Sequence, residues 1–236
     1  SDINNAFITS LLLFNDNFED IANMIYEYDQ NHQHLIDHSS ILSKLFQSDS
    51  HCNPNRINYL LNTIHVDPNI PDSKGVYPLE YAMNKYSGNN EYVKFLLRSG
   101  KINLNQKIPI VFHDQMNEKS TYKTYVHLAA RLDNNTIGIF LNNNVDVNVV
   151  DDQGETPLMD ACRVRLASNV QVLFNESKKL DYLHCNNDGD DALKILNCSE
   201  TPKNRNEYKQ ALMNELKNQD SKPSTKHQPG LRNGGL

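Results

Sequence analysis

The stretch "TYVHLAARLDNNTIGIFLNNNVDVNVVDDQGETPLMDAC", Thr124 to Cys162, says nearly the same thing twice. Thr124, two further residues and His127 lead to Ala129 and Ala130; an apolar run follows, then Asp-Val-Asn. About 32 residues on, the phrase reopens as Thr156-Pro157-Leu158. "DSKGVYPLEYAM" sets Gly75, Pro78, Leu79 and Ala82 in the frame of Gly154, Pro157, Leu158 and Ala161. A weaker copy, "NNDGDDALKIL", brings Gly189 about 35 residues after Gly154. Between the copies lie "EYVKFLLRSGKINLN", "TIGIFLNNNVDVN" and "NVQVLFNESKKLDYL", each with helical apolar spacing. Self-similarity at this period means that one supersecondary unit has been written several times, and it constrains the fold more than any composition does.

Each residue of the phrase has a physical task. Gly permits the left-handed backbone of a tight turn. Thr can cap the first helix by accepting a free backbone N–H, and Pro in the first turn lacks a hydrogen that would go unused there. Leu and Ala face neighbouring helices. In the second helix Val93, Leu96 and Leu97 form the apolar stripe, and Gly100 or Asn142–Asn144 suits its end. No single pair buries its apolar face, so the copies must stack.

A period of about 33 residues opened by T-P-L-H-x-A resembles the ankyrin repeat family. The resemblance is strong over Asp72–Gly100 and Thr124–Leu183, and weaker at Cys185–Leu196, where "GDDAL" lacks Thr and Pro. Upstream, "ILSKLFQSDSHCNPNRINYLLNTIHVDPNIP" keeps the helical outline and the closing Asp67-Pro68-Asn69 without the opening phrase. The resemblance implies an all-α solenoid of stacked helix-turn-helix repeats joined by hairpin loops. Residues 1–40 are expected to form a helical cap and 41–198 about five repeats. An amphipathic helix over 199–220 should begin at Thr201-Pro202, followed by a flexible tail, 221–236, rich in Pro, Gly and polar residues.

The period breaks once. Between Asn105 and Thr124 the spacing is about 14 residues too long, and the extra segment, 106–123, contains "IPIVF". It predicts a longer hairpin or ordered loop, explained either by loop growth or by a role in contact. Ile108, Ile110, Val111 and Phe112 would be awkward in water, which favours contact.

Chemistry has little to stand on. Net charge is -6 and no basic block exceeds two or three residues, which argues against a nucleic-acid surface. The run "FITSLLLF" is far short of the ~20 apolar residues that cross a bilayer, and it lacks the flanks of a signal peptide. Cys52, Cys162, Cys185 and Cys198 form no C-x-x-C pair, which suits a reducing, intracellular compartment. Asn makes up roughly one residue in seven, which suits short loops needing left-handed positions and equally suits an AT-rich genome. Asp151-Asp152 and Asp188–Asp191 lack a calcium-loop pattern, and His51-Cys52 and His184-Cys185 are pairs too far apart to build zinc sites. The resemblance makes His127 a structural ring bonded to backbone. No nucleophile motif or phosphate loop occurs, so neither a catalytic residue nor a cofactor or metal is expected.

The resemblance implies a protein–protein interaction module without catalysis, holding its partner on the concave face and through 106–123, by a chain that is monomeric on its own. Residues that the repeat does not require are Lys74, Val76, Tyr77, Glu80, Tyr81, Tyr122, Lys123, Tyr125, Arg131, Gln153, Glu155, Met159, Asp160 and Arg163. The ranked contact set is Tyr77, Tyr81, Ile110, Phe112, Tyr122, Tyr125, Arg131, Met159 and Arg163, since Tyr and Arg dominate binding hot spots. The acidic balance points to a basic or mixed partner. Three settings fit: an adaptor in its own cell, a pathogen or viral effector that captures a host protein, and a regulatory part of a larger enzyme or transcription regulator.

Overall fold

The computed structural model describes residues 2–12, 18–32, 36, 40–48, 53–85, 90–114, 117–132, 135–198 and 202–220. Among them are twelve helices and one two-stranded sheet, so the protein is mostly helical. The chain forms two compact units, Ser1–Asn103 and Leu104–Leu236. The tail at 221–236 and the His51-Cys52 pair lie outside the described residues.

The first unit holds α1 (Asp2–Leu12), α2 (Phe18–His32), α3 (Ile41–Ser48), α4 (Pro54–Asn62), α5 (Pro78–Lys85) and α6 (Glu91–Arg98). Helices α1, α3 and α5 pack in a row, with α2 against α1 and α6 against α5. Phe7, Leu11, Leu45, Phe46, Leu60 and Leu79 fill the interior. Pro54 starts α4 behind Asn53, whose side chain accepts the Asn55 N–H at 2.9 Å. On α2, Asn23 accepts the Tyr59 hydroxyl of α4 at 2.6 Å.

The second unit begins with β1 (Ile108–Asp114) and β2 (Asn117–Lys123), an antiparallel hairpin in which Ile108 faces Lys123 and Ile110 faces Thr121. Then follow α7 (Tyr125–Ala130), α8 (Thr136–Leu141), α9 (Pro157–Arg163), α10 (Ala167–Glu176), α11 (Ala192–Ile195) and α12 (Arg205–Asp220). Helices α7, α9 and α11 form one row, and α8, α10 and α12 a second. The buried amide of Asn169 ties the two rows together by donating to the Ala130 and Leu132 carbonyls at 2.9 and 3.0 Å, at the C-terminal end of α7 and just past it.

The loop before each first helix is the same object three times. At Asp72, Asp151 and Asn186 the backbone N–H donates to the carbonyl four residues on, and the Gly three residues on closes the turn. Those glycines, Gly75, Gly154 and Gly189, have φ of 74°, 73° and 77°, the region where a side chain is strained. One side-chain oxygen of Asp72, Asp151 and Asn186 then accepts two further amides, all at 2.8–3.0 Å.

The helix starts repeat as well. Glu80 of α5 reaches back to the Tyr77 N–H at 2.9 Å. At the same step of α7 the His127 ring meets the Thr124 N–H, and in α9 the Met159 sulfur meets that of Thr156. Where "GDDAL" lacks Thr, Asp191 caps α11 by accepting the Lys194 N–H at 2.9 Å. The final helix begins at Arg205 rather than at Thr201-Pro202, because Asn204 supplies the cap by accepting the Asn206 and Glu207 amides, both at 3.0 Å. Arg205 donates to the Phe174 and Ser177 carbonyls at 2.9 Å and lies over the Phe174 ring, which docks α12 on the C-terminal end of α10.

Candidate partner-binding surface

Lys123 ends β2 with its side chain only 2% exposed. Its ammonium meets Asp151 at 2.5 Å and Asp160 at 2.9 Å, with Glu155 at 3.8 Å. Arg131, just past α7, holds the other Asp160 oxygen at 2.7 Å, and Arg163 pairs with Glu155. Three cations thus meet three carboxylates, and the hairpin, the Asp151 loop and helix α9 are clamped together. A buried charge survives only when paired in this way. Burial alone drives the Lys123 ammonium toward neutrality, but Asp160 and Asp151 outweigh it and hold its pKa above the ordinary lysine value. Burial likewise opposes the charge of Asp151, yet Lys123 and the Glu155 and Gln153 amides keep its carboxyl below the usual range.

His127 sits inside the same cluster with both nitrogens engaged. Nδ1 faces the Thr124 N–H at 3.3 Å, which can only donate, and Nε2 faces the Glu155 carbonyl at 2.9 Å, which can only accept. The proton therefore belongs on Nε2. Burial pushes the ring below its ordinary pKa, against the pull of Asp160 and the Glu155 carbonyl. A ring occupied on both sides and an ammonium held between carboxylates are poor bases and nucleophiles. His184 makes one comparable contact, its Nε2 meeting the Gly154 carbonyl at 3.0 Å.

In the first unit a smaller polar knot occupies the matching frame. The Tyr81 hydroxyl donates to Asp72 at 2.7 Å, and the Gln47 amide of α3 donates to both Tyr81 and Asp72. Burial, with Asp72 beside it, raises the Tyr81 pKa far above the ordinary phenol.

These clusters revise the expected contact set. Tyr125 and Met159, expected on a binding face, are core residues at 0% and 1% exposure. They fill the first and third positions of α7 and α9, which both turn inward. Lys123, Glu155 and Asp160 belong to the buried network, Arg131 is committed to Asp160, and Val76 and Glu80 are buried. Ile108 and Ile110, taken as apolar side chains needing a partner, are buried within the chain. Phe112 lies on β1, and its side chain is outside the described residues. Tyr81 is tied into its knot and Tyr77 is half-buried.

Of the expected residues in the second unit, Tyr122, 46% exposed, Arg163 and Gln153 stay accessible, with Asp152 exposed beside them. Backbone bonds align them. The Tyr122 N–H donates to the Asp152 carboxylate at 3.1 Å. The Asn187 N–H and side-chain amide donate to the Gln153 and Asp152 carbonyls at 3.0 and 3.1 Å. The end of the hairpin and the two loops after it therefore form one pinned series of tips. In the first unit Lys74 and Tyr77 occupy the matching loop.

Among the described residues no group of three or more His, Cys, Asp or Glu side chains could hold a metal ion. Cys162 is buried, and that burial raises its thiol pKa. No described helix is long and apolar enough to cross a membrane. Neither the family models nor the curated proteins contain a match to this chain.

Proposed function

We propose that this chain is a non-catalytic protein-interaction scaffold of ankyrin-type repeats, which binds a partner through its loop tips. One observation carries the reading. The tips at Tyr122, Asp152-Gln153 and Asn187 are hydrogen-bonded into a fixed series, partly through the Asp152 carboxylate and the Asn187 amide, and the series presents the exposed Tyr122 and Gln153 side chains to solvent. Rigid presentation of side chains the fold does not require is what a recognition surface needs, because little ordering entropy remains to be lost on binding. The three matching Gly turns, the alternating helix rows and the capping pattern support ankyrin-type repeats. The buried network supports a role without catalysis, since its proton-transfer groups are already saturated by one another. The tips mix Asp152 and Asp188 with Arg163 and Lys107, which suits a partner of basic or mixed charge.

The test is quantitative capture from eukaryotic lysate with the intact chain and with a Tyr122→Ala/Gln153→Ala variant. Both side chains are exposed, so the variant should fold normally. A partner held by the intact chain and weakened about tenfold in the variant supports the reading. Equal capture moves the surface elsewhere, and capture of nothing by either removes the scaffold reading.

A further inference from the structure

On its first helical pair the chain exposes large apolar side chains. Phe7 and Leu11 of α1 and Ala22 of α2 are fully buried, whereas Met24 and Tyr28 of α2 are 72% and 58% exposed. With Ile3, Ala6 and Ile25 they line an open groove of about 450 Å³. Met24 and Tyr28 stand one helical turn apart and so form a single stripe. The margin of that stripe is acidic. Asp20 lies one turn before Met24 and Glu27 lies three residues after it, both exposed, and neither helix contains a Lys or Arg.

This combination selects its occupant. An anionic lipid surface would be repelled by Asp20 and Glu27. A second copy using the same patch about a two-fold axis would set those carboxylates against their own counterparts. A helix with an apolar stripe and basic flanks satisfies both features, its stripe filling the groove at i, i+4 and i+7. We propose that the α1–α2 groove is a docking site for a basic amphipathic helix of a partner protein. Its apolar side chains pack on Met24 and Tyr28, and its Lys or Arg residues meet Asp20 and Glu27. The proposal stands on this groove alone and does not depend on the loop tips.

The experiment measures anisotropy of a labelled synthetic helix about 18 residues long, with Leu on one stripe and Lys elsewhere. A matched peptide carries Glu at every Lys position. The full chain is compared with Met24→Ser/Tyr28→Ser and with Asp20→Asn/Glu27→Gln, all at exposed sites. The Lys peptide should bind the parent chain about tenfold tighter than Met24→Ser/Tyr28→Ser. It should bind about threefold tighter than Asp20→Asn/Glu27→Gln, with no saturable binding of the Glu peptide. Equal affinity for the parent and Met24→Ser/Tyr28→Ser overturns the proposal, because the peptide is then held elsewhere. Equal binding of the Glu peptide also overturns it. So does a dimer in sedimentation, or flotation with phosphatidylserine vesicles, that Met24→Ser/Tyr28→Ser abolishes while the Lys peptide fails to bind.

Discussion

Lys123 is a single side chain on which two buried carboxylates depend. Lys123→Met leaves Asp151 and Asp160 without their shared cation and should lower stability by about 3–5 kcal/mol in urea unfolding. The titration of the same cluster has a definite sign. The depressed Asp151 contributes fully above its unfolded value of about 3.9, and that contribution is lost as pH falls through the lower folded value. The raised Lys123 contributes fully below about 10.4, and its contribution is lost as pH rises through the higher folded value. His127 is depressed, so from about pH 6.5 downward the unfolded chain takes a proton that the folded ring refuses. Stability should therefore decline on acidification from pH 7, by up to about 1.4 kcal/mol per pH unit for this ring. His127→Asn should be less stable than the parent at pH 7, with the gap narrowing by pH 5 in the same unfolding assay. Two glycines of like conformation separate strain from crowding. A Cβ on Gly154 would lie 2.6 Å from the Asn187 side-chain oxygen and 3.0 Å from its backbone nitrogen, whereas one on Gly189 meets nothing within 4 Å. Gly189→Ala should cost about 1 kcal/mol and Gly154→Ala about 2–4 kcal/mol, read as shifts in the urea midpoint.

The hairpin has a buried base and an outer end that continues the same antiparallel register. Its base carries the buried Ile108, Ile110 and Lys123, and Phe112 pairs with Lys119 further out. Replacing 112–119 by Asn-Gly, so that Val111 and Ser120 flank a tight turn, should leave the melting temperature within about 4 °C of the parent. Removing 106–123 entirely would delete Lys123 and should destabilise as strongly as Lys123→Met. The period alone located this element, because an excess of residues between copies must go somewhere. The Gly turns and Thr caps were equally legible, since each demands a particular backbone or side-chain donor. The charge network was not, because Lys123, Asp151 and Asp160 converge only after folding. One signal was available: Asp160 occupies the step at which α7 has Leu128, which is also buried, and a buried Asp requires a cation. Tyr125 and Met159 were misplaced for a related reason. Variation from the repeat phrase was taken as a mark of surface, although Met159 shares its step with the buried His127.

At the scale of the whole molecule the charge balance of -6 favours the basic partner of the proposed function. Capture of a basic partner should weaken as salt rises from about 50 to 300 mM, whereas an apolar contact such as that of Met24 should persist; binding at graded ionic strength separates the two. Asn148 offers a last consequence. Its amide donates to the Lys179 carbonyl at 2.8 Å and its oxygen accepts the Asp181 N–H at 2.8 Å. Within the first unit Asn69 makes the same two bonds, to Lys101 and Asn103, at 2.8 and 2.7 Å. At these two joints one side chain thus carries the fastening for the segment that follows, and it grips backbone, which any following segment has. A stretch of gene copied in tandem would bring its own joint with it, so such a chain can lengthen by duplication without a new fit having to evolve at the seam.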